Sequence, residues 1–190
     1  YVAYNIVAML ACLSLLPLAL TQSAPPELPE QRKFKPFFAL SLSPLAGLGV
    51  LAAGITNAAF RMVGPIYAIE IGLNAQKTAL FLAIGVLGGA LSQIPAGIIT
   101  DKFNRRVVLV AFSIAAILVC FMTAVSSMFG ESAGYTGFAL IFLFGVTTLP
   151  IYSICATHAN DFAQPHEMVD LSASLILIYA IGAIISPIVS

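Results

Sequence analysis

The chain has 190 residues, of which 60% are hydrophobic and 8% are charged, and its mean hydropathy is +1.02. Polar surface this scarce does not cover a soluble globule, so the composition indicates a polytopic membrane protein. Eight Lys and Arg residues balance eight Asp and Glu residues, which leaves no basic excess for phosphate contacts and excludes nucleic acid as a partner.

Long apolar runs recur along the chain, and each has roughly the 20 residues that an α-helix needs to cross a hydrocarbon core. The runs lack the alternation of barrel strands, so they predict an all-α transmembrane bundle. Six helices are predicted, near 1–22, 44–69, 78–99, 107–128, 136–157 and 169–190. The loops between them are predicted at 23–43, 70–77, 100–106, 129–135 and 158–168.

Both ends of the chain indicate an internal piece of a longer protein. Tyr1 is not an initiator Met, and Ser190 lies inside an apolar run. The first run is longer than the apolar region of a signal peptide and lacks a basic segment before it, so it is interpreted as a span. Three cysteines, Cys12, Cys120 and Cys155, lie inside apolar runs and are predicted to be small buried hydrophobes, with no metal site or disulfide.

The basic residues predict the orientation, because Lys and Arg are retained on the cytoplasmic side during insertion. The second and fourth loops together contain one basic residue, Lys77. The first and third loops contain Arg32, Lys33, Lys35, Lys102, Arg105 and Arg106. The first, third and fifth loops are therefore predicted to be cytoplasmic.

A short charged turn, which we call the signature turn, joins the third and fourth predicted helices. Its sequence is Gly97-Ile98-Ile99-Thr100-Asp101-Lys102-Phe103-Asn104-Arg105-Arg106. It resembles the signature loop of the major facilitator superfamily, commonly written G-x-x-x-D-[RK]-x-G-[RK]-[RK]. It departs from that pattern at Asn104, where the family has Gly. Asn is the residue next best able to adopt the left-handed conformation expected there.

Each part of the signature turn has an expected role in a gate. Gly97 is expected to permit the close approach of two helices, and Asp101 to engage a helix N-terminus or a nearby base. Arg105 and Arg106 are expected to hold the cytoplasmic boundary, and Lys102 and Asn104 complete the predicted gate. The alternative is a plain positive-inside loop.

The layout also resembles that family, whose members have two six-helix lobes joined by a longer cytoplasmic loop. On this mapping the chain runs from the sixth to the eleventh span and stops before the last helix. Residues 1–22 end the first lobe, 23–43 form the central loop, and 44–190 form five helices of the second lobe. The chain also resembles a bacterial branch of this family whose substrates are largely unassigned. The resemblance rests on Ala159-Asn160-Asp161, Pro165-His166-Glu167, Tyr179-Ala180-Ile181-Gly182-Ala183 and Ser186-Pro187.

The resemblance implies a secondary active transporter of a small solute that works by alternating access in the bacterial cytoplasmic (inner) membrane. A coupling ion, proton or sodium, or the solute's own gradient would drive it, and the missing first lobe would complete it. The sequence contains no Walker-type motif, no H-E-x-x-H and no G-x-S-x-G, so neither ATP hydrolysis nor another enzymatic activity is predicted, and no cofactor. A non-transporting membrane anchor or sensor subunit remains the alternative.

Polar side chains within the spans are the candidate substrate contacts, because they are costly in hydrocarbon unless they face a cavity or a partner. Arg61 leads, since a helix break expected at Gly64-Pro65 would expose carbonyls beside a guanidinium suited to a carboxylate or phosphate. Alternatively, Arg61 extends toward the membrane surface or pairs with Glu70. Asn57, one turn earlier, shares its face, and an interhelical hydrogen bond is its alternative role.

Further candidates are weaker. Gln93 is a possible substrate contact, with helix packing beside Gly97 as the alternative. Tyr152 and Tyr179 are possible cavity residues, with anchoring at the membrane interface as the alternative.

Three groups outside the candidate list also have two interpretations. Asp170 either caps the last helix or takes part in proton coupling. His158 and His166 lie near acidic residues, so they either form a metal site or proton relay or belong to an ordinary solvated loop. Recurring glycines are predicted to let helices pack closely, either so that they slide in a rocking transporter or as in any static bundle, at Gly85, Gly88, Gly89 and Gly182.

Overall fold

The structure is a computed structural model that describes residues 2–20, 35–129 and 134–189. Within these ranges all regular secondary structure is helical. The helices are α1 (Val2–Leu20), α2 (Phe38–Leu42), α3 (Pro44–Glu70), α4 (Ala75–Lys102), α5 (Arg105–Met128), α6 (Tyr135–Thr148), α7 (Ile151–Asn160) and α8 (Met168–Val189), with a short 3-10 turn at Pro165–Glu167. The chain divides into two compact units, Tyr1–Lys33 and Phe34–Ser190.

The first unit contains α1, an apolar helix in the stretch where the first span is predicted. Its apolar part within the described residues, Asn5–Pro17, is shorter than the other spans. Its large side chains are exposed, and Leu20 retains 77% of its accessible surface. Most of the predicted loop that follows, including Arg32 and Lys33, lies outside the described residues.

The second unit contains five helical segments long and apolar enough to cross a membrane. They are Pro44–Glu70, Ala75–Lys102, Arg105–Met128, Tyr135–Asn160 and Pro165–Ile188. The outer faces of these helices are apolar: on α5, Ile117 is 68% exposed and Phe121 is 67% exposed. Such surface is stable in lipid, so the predicted all-α transmembrane bundle is confirmed for this unit.

The first tight helix pair joins α3 to α8. A Cβ on Gly54 would overlap the carbonyl oxygen of Tyr179, and Gly182 approaches α3 equally closely. The Ser186 hydroxyl donates a 2.9 Å hydrogen bond to the Ile55 carbonyl. Small residues therefore let these two backbones pack together without intervening side chains.

The second tight pair joins α4 to α6. A Cβ on Gly145 would overlap the carbonyl oxygen of Gly85, and a Cβ on Gly88 would overlap that of Phe142. Gly89 leaves room for the side chain of Leu149, which follows the end of α6. The close packing predicted for the recurring glycines is confirmed, and Gly145 is an additional member of the set.

The prediction of one continuous helix at 136–157 is wrong. The structure divides it at Leu149–Pro150 into α6 and α7. Pro150 has no amide hydrogen to donate to the carbonyl of Val146, four residues earlier, so one bond of the helix ladder is missing there. Proline alone does not mark the break, because α3 and α4 continue through Pro65 and Pro95.

Helix α2 lies within the segment predicted to be a loop. The Ser174 hydroxyl of α8 accepts a 3.0 Å hydrogen bond from the Ala39 amide and donates a 2.9 Å hydrogen bond to the Pro36 carbonyl. Both Ala39 and Ser174 are fully buried. A partner 135 residues away holds this short helix, and no local pattern indicates such a partner.

Two of the three cysteines differ from their prediction. Cys155 is buried, as expected, but Cys12 and Cys120 are exposed. An apolar run in a membrane helix has a lipid-facing side as well as a packed side, so position in the run does not determine burial.

The orientation is open to a direct test with a reporter enzyme that is active only in the cytoplasm. Fused after Lys102 in the intact protein, it is expected to be active, because Lys102, Arg105 and Arg106 cluster there. The same reporter fused after Gly72, in the opposite turn, is the matched control and is expected to be inactive. The reverse pattern would contradict the assigned orientation.

Candidate functional site

The signature turn is short and is closed by a helix cap. The side-chain oxygen of Asn104 accepts a 3.0 Å hydrogen bond from the Arg106 amide, at the start of α5. The φ of Asn104 is −58°, so the prediction of a left-handed conformation at this position is wrong. Asn suits this position because its side chain satisfies a free amide in the first turn of α5.

Arg105 links the signature turn to the end of α7. Its guanidinium donates a 2.7 Å hydrogen bond to the Thr157 carbonyl and forms an ion pair with Asp161. It also lies 3.9 Å from the Asp101 carboxylate, so Arg105 is a nearby base for Asp101, one of the two kinds of partner expected for that acid. The Thr157 carbonyl is in the last turn of α7, where the helix dipole favours a cation.

Of these two acids, Asp161 is the stronger partner of Arg105. The Asp101 side chain is 74% exposed and that of Asp161 is 47% exposed, and water weakens the more exposed pair. The sequence did not single out Asp161 for this role, because it lies 56 residues from Arg105.

Gly97 does not have its expected role within the described residues. No heavy atom lies within 4 Å of the place where its Cβ would be, so the close approach predicted there is not made by this part of the chain. The glycines that do make close approaches lie nearer the middle of α4.

Beside the signature turn is a cavity of about 780 Å³ at the same end of the bundle. It has a polar wall to which Asn104, Arg105, Arg106, His158 and Asp161 contribute. Lys102 is exposed at the end of α4 and is not among its lining residues.

The two histidines on this side do not form a metal cluster in the described residues, where no group of three His, Cys, Asp or Glu residues is close enough to hold an ion. His158 packs edge-on against Phe162, with ring centroids 5.1 Å apart. The Glu167 carboxylate accepts a 3.1 Å hydrogen bond from the Gln164 amide and caps the 3-10 turn. Asp170 lies in the first turn of α8, where its capping role was predicted.

A second cavity, of about 410 Å³, lies deeper in the bundle, and we call it the polar cavity. Helices α3, α4, α7 and α8 bound it, together with the α6–α7 break. Its lining residues are Asn57, Gln93, Leu149, Tyr152, Ser153, Ile176 and Tyr179. Four of the five candidate substrate contacts thus lie in one cavity, although they come from segments far apart in the sequence.

Contacts within the polar cavity fix the directions of its side chains. The Ser153 hydroxyl donates a 3.2 Å hydrogen bond to the Gln93 side-chain oxygen. The rings of Tyr152 and Tyr179 meet edge to face, with centroids 5.4 Å apart. The side-chain amide of Asn57 donates a 2.9 Å hydrogen bond to the Ala53 carbonyl of its own helix.

These contacts decide between some of the alternative interpretations. Tyr179 lies in the middle of α8, so anchoring at the membrane interface does not describe it. The bond from Asn57 stays within α3, so the interhelical bond considered for it is not formed in the described residues. Gln93 forms an interhelical bond with Ser153 of α7, which fits its packing alternative, although no such contact is made at Gly97 within the described residues.

Arg61 is the candidate that does not line the polar cavity. It is exposed on α3, one turn beyond Asn57. The helix break expected beside it at Gly64-Pro65 is absent, because α3 is continuous from Pro44 to Glu70. Glu70 is nine residues further on, about 13 Å along the helix, and the described residues contain no ion pair between the two.

Comparisons with known proteins give a consistent result. The family model of the Major Facilitator Superfamily matches residues 1–187. The chain is 22% identical over 171 residues to the uncharacterized MFS-type transporter YfkF of Bacillus subtilis, covering 90% of this chain and 42% of that protein. It is 25% identical over 142 residues to the uncharacterized MFS-type transporter YcaD of Salmonella newport, covering 73% and 34%.

A third relative has a more specific name. The chain is 30% identical over 113 residues to the probable nitrate/nitrite transporter NarK2 of Mycobacterium tuberculosis, covering 56% of this chain and 27% of that protein. The chain therefore spans less than half the length of each of these relatives. No solved structure matches it.

Proposed function

The chain belongs to the Major Facilitator Superfamily, and on that premise we propose that it forms part of a secondary active carrier that moves a small solute by alternating access. In this proposal residues 1–22 are the last span of a first lobe, 23–43 are the central cytoplasmic loop, and 44–190 are five spans of the second lobe. The carrier lies in the bacterial cytoplasmic membrane. A proton or sodium gradient, or the solute's own gradient, drives it.

The single observation that carries the proposal is the polar cavity. Amide and hydroxyl groups are costly in hydrocarbon, yet Asn57, Gln93, Ser153 and two tyrosines converge on one space. Gln93 lies nine residues before the end of α4, about 13 Å inside the span. A site at such a depth, bounded by several helices, is where carriers of this kind bind their solutes.

The signature turn is proposed to act as the cytoplasmic gate. Arg105 ties the start of α5 to the end of α7 through Thr157 and Asp161, and α7 also supplies Tyr152 and Ser153 to the polar cavity. A movement of the signature turn is therefore transmitted along α7 to the substrate contacts. This connection supports a coupled opening and closing of the two ends of the bundle.

Transport is favoured over catalysis by the chemistry of the polar cavity. Its lining side chains are amides, hydroxyls and apolar groups, which bind a solute by hydrogen bonding and stacking but supply no strong acid, base or nucleophile. Binding without chemistry is what a carrier requires of its site.

Thermal stabilisation of the purified intact protein tests the binding site. A panel of small solutes that includes nitrate and nitrite is expected to contain a compound that raises the melting temperature, because a bound ligand stabilises the folded state by about 2.7 kcal/mol at a hundred times its Kd. Gln93→Ala removes one hydrogen-bonding group and is expected to weaken that compound's binding about fivefold.

Lys77→Gln is the matched control, since Lys77 is exposed in the first turn of α4 and far from the polar cavity along that helix. It is expected to keep the full stabilisation. Equal stabilisation of the wild type, Gln93→Ala and Tyr152→Ala by every active compound would contradict a site in the polar cavity. A failure of every solute to stabilise the protein would instead favour an anchor or sensor subunit.

A further inference from the structure

Arg61 is a charged side chain well inside a membrane span, with no partner in the described part of the chain. Its helix extends from Pro44 to Glu70, and the nearer end, Glu70, lies nine residues or about 13 Å further along. No hydrogen bond or ion pair of the described residues involves it. A guanidinium at this depth needs water, an anion or a carboxylate beside it.

The direction of Arg61 on α3 indicates what lies beside it. At about 100° per residue, Gly54 and Phe60 lie about 60° to either side of Asn57, and Arg61 lies about 40° from it. Gly54 packs against α8, and Phe60 packs against Phe144 of α6 at 5.6 Å. Arg61 therefore points between these two neighbouring helices and not away from the bundle.

Along this side of α3, the exposure of the side chains increases from Asn57 to Arg61 within the described residues. Asn57, one turn toward the cytoplasmic end, lines the polar cavity and is 9% exposed, whereas Arg61 is exposed. The Cα of Arg61 is thus about 6 Å along the helix from that of Asn57, and the two residues are on the same side of α3. The described lining of that cavity contains no Asp or Glu to neutralise it.

Resting on the proposed carrier function, we propose that the transported solute is a small anion, whose carboxylate or other oxyanion group binds Arg61 at the outer end of the polar cavity. The planar guanidinium matches two oxygens of such a group. The uncharged remainder of the solute lies against Asn57, Gln93 and the Tyr152–Tyr179 pair, which offer hydrogen bonds and aromatic faces without charge.

A measurement of the electrostatic potential in the polar cavity tests the proposed anion site, and it does not require the solute to be known. In the intact protein, with its cysteines replaced by alanine, Asn57→Cys is labelled with two methanethiosulfonates of similar size, one anionic (sulfonatoethyl) and one cationic (trimethylammonioethyl). The ratio of the anionic to the cationic labelling rate is expected to fall about tenfold when Arg61→Gln is added, because a nearby positive charge attracts one reagent and repels the other.

Two matched variants complete the test. Arg61→Lys keeps the charge and is expected to keep the ratio within about threefold of its original value, which also covers the case in which Arg61→Gln does not fold. Lys77→Gln removes a distant charge and is expected to leave the ratio unchanged.

The outcomes separate the anion inference from the carrier proposal. A thiol at position 57 that reacts with both reagents at a ratio independent of Arg61 would overturn the anion site, since the guanidinium would then be neutralised by a carboxylate elsewhere in the protein. A thiol at position 57 that reacts with neither reagent would mean that no water-filled cavity exists, which overturns the carrier proposal itself.

Discussion

Gly145→Val is expected to prevent the intact protein from folding into a stable bundle. The Cβ of any larger residue at position 145 would overlap the carbonyl oxygen of Gly85 and approach the amide nitrogen of Gly89 at 3.0 Å. Both obstacles are backbone atoms, so rotation of a side chain does not relieve the clash. Helices α4 and α6 would have to separate, at a cost above the 1–3 kcal/mol typical of an overpacked core.

The same separation would disrupt the polar cavity. The Ser153 hydroxyl donates a hydrogen bond to Gln93. Gln93 is on α4, and Ser153 is on α7, which comes directly after α6 in the chain. This bond would therefore be lost if α4 and α6 moved apart. The measurement is the yield of monodisperse protein in detergent and its melting temperature. Gly145→Val is expected to give aggregated protein or a melting temperature lowered by many degrees.

Gly97→Val is the matched control, because it makes the same chemical change on α4 at a position where no other element of the described residues lies within 4 Å of the added Cβ. It is expected to fold like the wild type. Equal stability of Gly145→Val and Gly97→Val would show that the close α4–α6 packing does not hold the bundle together.

Arg105→Ala is expected to have the largest effect on transport among variants that still fold. It removes the hydrogen bond to Thr157 and the ion pair with Asp161, which together hold the signature turn against the end of α7. The hydrogen bond from the guanidinium to the Thr157 carbonyl contributes about 1.5–3 kcal/mol, and the ion pair adds less because the Asp161 side chain is 47% exposed. A loss of that size changes the balance between the two conformations of the carrier by about tenfold or more.

The direction of the change follows from the position of Arg105. The signature turn is assigned to the cytoplasmic side, so loosening it is expected to favour the conformation that is open to the cytoplasm. Asp161→Ala removes the same ion pair and is expected to act alike. Asp101→Ala is the graded control: its partner is 3.9 Å away and its side chain is 74% exposed, so it is expected to slow transport less while the protein remains in the membrane.

The sequence predicts the spans well because a bilayer imposes one simple condition, an apolar run long enough to cross it. The ends of α3, α4 and α5 follow within a few residues from the charged and turn-forming positions around them. The break at Leu149–Pro150 escaped prediction because proline is tolerated in membrane helices wherever other groups satisfy the carbonyls that it leaves free. Pro65 and Pro95 are tolerated in this way.

The candidate site is predictable in part. Asn57, Gln93, Tyr152 and Tyr179 stand out as polar or aromatic groups in apolar runs, and the structure brings all four to one cavity. Their convergence depends on the α3–α8 and α4–α6 packing, which joins residues more than 50 positions apart in the sequence. The partner of Arg105 was not predicted for the same reason, since nothing near Asp161 in the sequence indicates the start of α5. Whether these four residues bind a solute stays a prediction.

Alternating access makes one demand on the polar cavity: it must open to each side of the membrane in turn. Ser153 is an exposed residue of its lining, so a cysteine at this position reports which side it opens to. The measurement is the labelling of Ser153→Cys by an impermeant thiol reagent in right-side-out and inverted vesicles of the intact protein. The account predicts labelling from both sides, with Arg105→Ala raising the cytoplasmic rate and lowering the outer one. Labelling from one side alone, unchanged by Arg105→Ala, would contradict it.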